Sequence, residues 1–243
     1  MRISVAQINP AKGDILKNIE SHEKWIKIAV TEKADIIAFP ELSLTGYEPA
    51  LAKKLAMDFN DPGLSVFQAA SDRYAISIAL GVSTQSEQGV MISMIIFQPD
   101  KARKIYSKQI LHDDELPYFV QGHEQLIFKV ADKSIAPAIC YESLQKAHAE
   151  NVKINGADIY LASVAKSQNG INKAFNHYPT IANEYSMPVI MGNNIGYCDN
   201  FMGAGQSAVW NEKGELLGKL SDDKEGLLIY DTLTQEIIIR EEL

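Results

Sequence analysis

Cysteine is scarce in this chain, and its scarcity excludes one class of protein. Only Cys140 and Cys198 occur among the 243 residues. Two cysteines cannot provide the disulfide framework of a small secreted domain, so the sequence indicates a reducing compartment. The segment at residues 1–8 is too short and too soon interrupted to be the apolar core of a signal peptide. Together these features predict a cytoplasmic protein.

Long apolar runs and clusters of positive charge are also missing. No run approaches the roughly 18 residues that a membrane-spanning helix needs, so no membrane partner is expected. The formal net charge is −8 and the lysines are scattered, which argues against a nucleic-acid partner. No glycine-rich phosphate loop is present, because the segment at residues 203–205 is too short and lies in the wrong context. A nucleotide-binding protein is therefore disfavoured.

Segments of strand and helix character alternate along the chain. Residues 2–9 are β-branched and alternating, which is typical of a strand, whereas residues 14–32 carry apolar side chains at helical spacing after Asp14, a predicted N-cap. Hairpins also occur, as at the turn over residues 211–214. This pattern predicts an α/β fold with a mixed sheet. No linker or low-complexity run interrupts it, which favours a single domain over residues 1–243.

The second half of the chain continues this alternation. Apolar strands are predicted at residues 158–164 and 188–193. Helices are predicted at residues 143–155 and 173–186, the latter despite a proline inside it. We therefore expect helices to cover the sheet in this half as well.

Three reactive side chains stand where predicted strands end: Glu41, Lys108 and Cys140. A strand end fixes a side chain on a rigid element beside the loops where the sites of α/β folds lie. Acyl transfer from an amide needs a nucleophile, a base to activate it and a positive group for the oxyanion. These three residues could form such a site, whereas Cys140 alone is also typical of a buried core cysteine.

The residues around these positions resemble the nitrilase (carbon–nitrogen hydrolase) superfamily. Residues 39–47, 108–122 and 138–142 resemble its glutamate, lysine and nucleophile blocks, in the same order. Residues 6–18 and 182–214 resemble its opening and closing segments, so the resemblance covers nearly the whole chain. It implies a four-layer αββα sandwich with two mixed β-sheets. Because family members commonly dimerise, it also implies a homodimer or a higher homo-oligomer.

The resemblance implies a catalytic role for each of the three residues. Cys140 would be the nucleophile, Glu41 the general base and acid, and Lys108 the oxyanion stabiliser. The backbone N–H of Tyr141 is a candidate second oxyanion donor. These roles agree with the chemistry of the side chains, because a thiolate attacks far better than a thiol and a carboxylate can accept its proton. No metal and no cofactor is expected in this mechanism.

A second carboxylate and several pocket residues follow from the same resemblance. Glu115 matches the second glutamate of the family, with Asp113 or Asp114 as the alternative if the loop is shifted. Glu142 has two interpretations, as a pocket residue or as a residue that ties its own loop together. The residues expected to bind substrate are Tyr47, Tyr141 and Glu142.

The resemblance predicts hydrolysis of non-peptide C–N bonds in a small linear amide, either an ω-amide or an N-carbamoyl compound, with release of ammonia. Nitrile hydrolysis by the same residues is an alternative, which Tyr141 disfavours because the nitrilase branch has tryptophan there. A catalytically idle binding or scaffold subunit is another alternative, which the intact catalytic residues disfavour. Residues 143–150 depart from the family pattern, so the substrate is left open.

Overall fold

The computed structural model describes residues 1–242, so Leu243, the last residue of the predicted domain, lies outside the described residues. The α-helices are α1 (Ile15–Thr31), α2 (Ala52–Leu55), α3 (Ser65–Tyr74), α4 (Lys146–Ile154) and α5 (Gln168–Tyr185). The strands are β1 (Arg2–Gln7), β2 (Ile36–Ala38), β3 (Ser77–Ser86), β4 (Gly89–Phe97), β5 (Lys104–Ser107), β6 (Phe128–Val130), β7 (Lys133–Ile139), β8 (Ile159–Val164), β9 (Val189–Asn193), β10 (Ile195–Cys198), β11 (Phe201–Ala204), β12 (Ala208–Trp210), β13 (Leu216–Lys219), β14 (Gly226–Asp231) and β15 (Ile237–Glu241).

Most of the strands form two mixed sheets. The first has the order β15-β14-β1-β2-β3-β4-β5, in which β1, β2 and β3 run parallel and the outer pairs are antiparallel. The second has the order β13-β12-β9-β8-β7-β6, with β7, β8 and β9 parallel. Helical crossovers connect parallel neighbours and hairpins extend the edges. The mixed sheet that the alternating sequence predicts is therefore present twice.

The two sheets face each other across an apolar layer, and helices cover their outer faces. In β2, Ile36 belongs to the layer between the sheets, whereas Ile37 belongs to the cluster that contains Trp25 of α1. In β7, Ile139 contributes to the central layer and Ala138 to the cluster with α4 and α5. Successive side chains of a strand point to opposite faces, so one strand serves two layers. The predicted four-layer αββα sandwich is confirmed.

Several elements differ from the sequence prediction. The helix predicted from residue 143 is preceded by a 3-10 turn over Cys140–Leu144, and α4 begins only at Lys146. The α5 helix begins at Gln168, five residues earlier than predicted. Strands β10 and β11 form a separate hairpin that the sequence pattern did not predict. Over residues 1–242, no helix has the length and apolar character needed to cross a membrane.

Candidate active site

The ends of β2, β5 and β7 bring Glu41, Lys108 and Cys140 into one cluster. The Lys108 ammonium is fully buried and donates hydrogen bonds to Glu41 Oε1 at 2.8 Å and to Glu115 Oε1 at 2.6 Å. The Cys140 thiol donates to the Ala165 carbonyl at 3.6 Å, and Glu41 and Lys108 both lie close enough to shift its pKa. The strand-end positions in the sequence therefore correspond to one site in space, in which a thiol lies beside a bonded carboxylate and ammonium pair.

Each charge in this cluster depends on the others. Burial opposes the charge of Lys108, but the carboxylates of Glu41 and Glu115 raise its pKa above the ordinary value, so the side chain stays protonated. Burial raises the pKa of Glu41, and Lys108 opposes that shift. A carboxylate with a raised pKa beside a thiol can take up a proton and return it, which is what a general base and acid must do.

Glu115, and neither adjacent aspartate, is the second carboxylate at the lysine. Its Oε1 accepts from Lys108 and from the Tyr47 hydroxyl at 3.0 Å, and its Oε2 accepts from the His112 backbone N–H at 2.8 Å. Glu115 is 1% exposed, whereas Asp113 and Asp114 lie on the surface. The structure thus favours Glu115 among the three carboxylates that the sequence offered.

Cys140 has an unusual backbone conformation at the end of β7. Its φ is +45°, in the left-handed region that non-glycine residues adopt only at a cost. The Cys140 carbonyl accepts a hydrogen bond from the Ser143 hydroxyl, which in turn contacts the Tyr178 hydroxyl at 2.6 Å. Burial raises the pKa of the thiol to about 11, Glu41 acts in the same direction, and Lys166 opposes the shift. The surrounding contacts therefore hold the thiol in a strained turn.

A cavity of about 510 Å³ opens above this cluster, and Cys140 and Glu115 line it. One group of its lining residues is aromatic, and a second group is basic. The aromatic residues are Tyr47, Tyr141 and Phe201. The basic residues are His112, Lys166, Lys173 and His177. Tyr47 and Tyr141 thus lie where the sequence analysis places substrate-binding residues.

Glu142 is not in the position expected of a substrate-binding residue. Its side chain is fully buried, and its carboxylate accepts from the backbone N–H groups of Ile139 at 2.6 Å and Gln109 at 2.7 Å and from the Tyr106 hydroxyl at 2.8 Å. The 3-10 turn after Cys140 rotates Glu142 away from the cavity. The structure therefore agrees with the other interpretation, in which Glu142 ties loops together.

Lys166 is a site residue that the sequence analysis missed. It follows β8 and is only 4% exposed. Its ammonium lies 3.6 Å from the Cys140 sulfur and donates to the Cys140 carbonyl at 3.3 Å. The one available signal was the strand-end rule already used for Glu41 and Lys108, because Lys166 also stands just after an apolar strand. Over residues 1–242, no group of three His, Cys, Asp or Glu side chains is arranged to hold a metal ion.

Comparison with known proteins gives matches along nearly the whole chain. The family model described as carbon-nitrogen hydrolase matches residues 2–238. The chain is 26% identical over 239 residues to a glutamine-dependent NAD(+) synthetase of Acinetobacter baylyi, covering 93% of this chain but only 43% of that protein. It is 23% identical over 245 residues to a Staphylococcus aureus protein named "Hydrolase in agr operon", covering 94% and 90% of the two chains. This chain therefore spans less than half of the synthetase.

The fold also matches solved structures. One is a cysteine-to-alanine variant of the amidase from Nesterenkonia sp. AN1 in complex with butyramide, with a TM-score of 0.88 and 19% identity. The match covers 97% of this chain and 92% of the amidase chain. At this identity the likeness concerns the fold, which the two chains share from end to end.

Proposed function

This chain belongs to the carbon–nitrogen hydrolase family of the nitrilase superfamily, and on that premise we propose that it hydrolyses a small linear amide with Cys140 as nucleophile. The observation that carries the proposal is the clustering of Cys140, Glu41 and Lys108: Lys108 holds Glu41 by a 2.8 Å hydrogen bond, and both charges act on the pKa of the Cys140 thiol. A nucleophile that lines the cavity thereby has a base and an oxyanion-stabilising cation buried beside it.

The first half of the reaction would form a thioester. Glu41 accepts the thiol proton, and the Cys140 sulfur attacks the carbonyl carbon of the amide. Lys108 and the Tyr141 backbone N–H stabilise the negative charge on the carbonyl oxygen. The protonated Glu41 then gives its proton to the leaving nitrogen, and the C–N bond breaks. Ammonia departs, and the acyl group remains on the sulfur.

The second half would release the acid. Glu41 takes a proton from a water molecule, which attacks the thioester carbonyl. The C–S bond breaks, and the carboxylic acid leaves as the Cys140 sulfur regains a proton from Glu41. The enzyme returns to its starting protonation state, and one amide and one water have become one acid and one ammonia.

The cavity supports a small substrate that carries an acid group. Its volume of about 510 Å³ suits a small molecule. Lys173 lines it, is exposed, and makes no ion pair with the described carboxylates. An ω-amide of a dicarboxylic acid or an N-carbamoyl amino acid would offer Lys173 a carboxylate. Two protein names are compatible with this choice, because glutamine and butyramide are both linear carboxamides.

Ammonia release from a panel of linear amides, N-carbamoyl compounds and nitriles tests the proposal. We expect wild type to release ammonia from amides or carbamoyl compounds, and Cys140→Ala to lose activity on the order of a thousandfold or more. Mass spectrometry of quenched reactions should show an acyl group on Cys140. Activity on nitriles alone would favour the nitrilase alternative, and equal inertness of both proteins would favour the scaffold alternative.

We also propose a homodimer or a higher homo-oligomer in the cytoplasm. Tyr197 and Met202 face each other across β10 and β11 and are 66% and 60% exposed, which offers apolar surface to a second copy. Both cysteines are free, in keeping with a reducing compartment. Sedimentation velocity over a range of protein concentrations tests the assembly, and a monomer throughout would refute it.

A further inference from the structure

Lys166 places a second ammonium at the nucleophile, and the reaction described above does not use it. Its Nζ lies 3.6 Å from the Cys140 sulfur, and its side chain is almost entirely buried. Over residues 1–242, no carboxylate forms an ion pair with this ammonium. Burying a charge is costly unless an opposite charge or hydrogen bonds accompany it. A negative charge near Lys166 would therefore be stabilised, and the ionisable atom closest to its ammonium is the Cys140 sulfur.

The backbone and stem of Lys166 are both held in place. Asn193, fully buried, accepts from the Lys166 N–H at 2.8 Å and donates to its carbonyl at 3.1 Å. Gly170 in the first turn of α5 lies against the aliphatic stem, where an added Cβ would come within 3.0 Å of Lys166 Cβ and 3.3 Å of Cγ. Glycine weakens a helix. At this position, the absence of a Cβ leaves space for the Lys166 side chain. The ammonium is thus directed to Cys140 by specific neighbours.

Lys166 changes the net charge of the groups around the Cys140 thiol. With both carboxylates ionised, the cluster of Glu41, Glu115 and Lys108 has one net negative charge, which opposes thiolate formation. Lys166 brings the total to zero, and the total stays at zero when the thiol proton moves to Glu41. The ionisable groups that bear on the thiol are Glu41, Glu115, Lys108, Lys166, Tyr47, Tyr178 and Cys198. Burial, together with the charge of Lys166, also lowers the pKa of His177, which favours a neutral imidazole there.

We propose that Lys166 is a further catalytic residue, whose ammonium stabilises the Cys140 thiolate before attack while Lys108 serves the oxyanion. In this step the S–H bond breaks, the proton passes to a Glu41 oxygen and the electron pair stays on sulfur beside the Lys166 ammonium. The inference rests on the proposed function in taking Cys140 as the nucleophile. The inference assigns different roles to the two ammonium groups, because Lys108 is already bound to two carboxylates and Lys166 is bound to none.

The pH dependence of Cys140 alkylation by iodoacetamide tests the inference without any substrate. Peptide mass spectrometry separates Cys140 from Cys198. Lys166→Gln keeps an N–H donor for the Cys140 carbonyl but removes the charge, and we expect the alkylation midpoint to rise by on the order of one to three pH units. Lys166→Arg should restore the midpoint. Lys17→Met, on the exposed face of α1, is the matched control and should leave it unchanged.

Gly170→Ala provides a second route to the same result, because it displaces the Lys166 stem and keeps the charge. We expect a smaller rise of the midpoint, with a circular dichroism spectrum like that of wild type. If the midpoint is the same in wild type, Lys166→Gln and Gly170→Ala, the inference is wrong, even if amides are hydrolysed. If the midpoint shifts but no amide, carbamoyl compound or nitrile reacts, the inference stands and the proposed function fails.

Discussion

The Tyr47 hydroxyl donates a 3.0 Å hydrogen bond to Glu115 Oε1, the same oxygen that accepts from Lys108 at 2.6 Å. The Tyr47 ring also lines the cavity and meets the ring of Phe201 edge-on, with centroids 5.5 Å apart. A residue of the cavity wall is therefore linked through one carboxylate oxygen to the buried cation. Substrate contacts and the position of the Lys108 ammonium are coupled at this point.

Tyr47→Phe should lower kcat more than it changes KM. The substitution keeps the aromatic wall but removes one hydrogen bond to a charged carboxylate, which is worth about 1.5–3 kcal/mol. Glu115 then holds Lys108 less firmly, and we expect a loss of kcat on the order of tenfold. Steady-state kinetics on the best amide of the panel measures both constants. An increase of KM with kcat unchanged would contradict this prediction and limit Tyr47 to substrate binding.

Glu142→Gln should destabilise the protein without a selective effect on KM. Burial raises the pKa of Glu142 to about 7, and the backbone N–H groups of Ile139 and Gln109 act against that shift. Since N–H groups point at both carboxylate oxygens, an amide would place its own NH₂ against one of them. We expect a loss of about 2–4 kcal/mol in the free energy of unfolding, measured by urea denaturation.

The exposed Glu150→Gln on α4 is the matched control for that loss and should stay within about 0.5 kcal/mol of wild type. Raised KM at unchanged stability in Glu142→Gln would restore the interpretation of Glu142 as a substrate-binding residue.

The sequence was sufficient to predict the part of the site that strand ends determine. Glu41, Lys108 and Cys140 each follow a strand, and the facing of the two sheets brings these three strand ends together. Side-chain direction within the turn was not predictable in the same way. Glu142 is two residues from Cys140, but whether it faces the cavity depends on the 3-10 turn and on Tyr106, which is 36 residues away in the chain.

Lys166 shows a second limit of sequence reasoning. A lysine in a polar loop is most often exposed, and the residue that fixes its backbone, Asn193, is 27 positions further along the chain. Gly170 contributes only by lacking a Cβ. The β10–β11 hairpin was missed for a related reason, since Gly196 and Gly203 stand opposite each other and weaken the strand pattern. For Lys166, a contact between distant segments decides the structure.

The buried His22 should make the protein less stable at acid pH. Burial lowers its pKa to about 4, whereas an imidazole in the unfolded chain has a pKa of about 6.5. Between these values the unfolded state binds a proton that the folded state does not, so stability falls as the pH decreases from 6.5 to 4. His22→Gln removes this proton. The slope of unfolding free energy against pH should then decrease by up to about 1.4 kcal/mol per pH unit in that window.

The comparison of slopes is independent of any overall loss of stability in the variant, because a constant loss shifts the curve without changing its slope. The pKa of His148 is also lowered to about 4 by burial, and this residue remains in both proteins as a common background. Parallel curves for wild type and His22→Gln from pH 6.5 to 4 would show that His22 is protonated in the folded state.

Lys173→Met should weaken binding of acid-bearing amides only. Succinamate and butyramide have the same chain length and differ in a terminal carboxylate, so their KM ratio isolates the contribution of charge. Because Lys173 is an exposed residue of the cavity wall, we expect KM for succinamate to rise about three- to tenfold and KM for butyramide to stay unchanged. Higher salt should weaken the wild-type preference and leave the variant unaffected, since salt screens exposed charges. An equal change for both amides would exclude a carboxylate contact at Lys173.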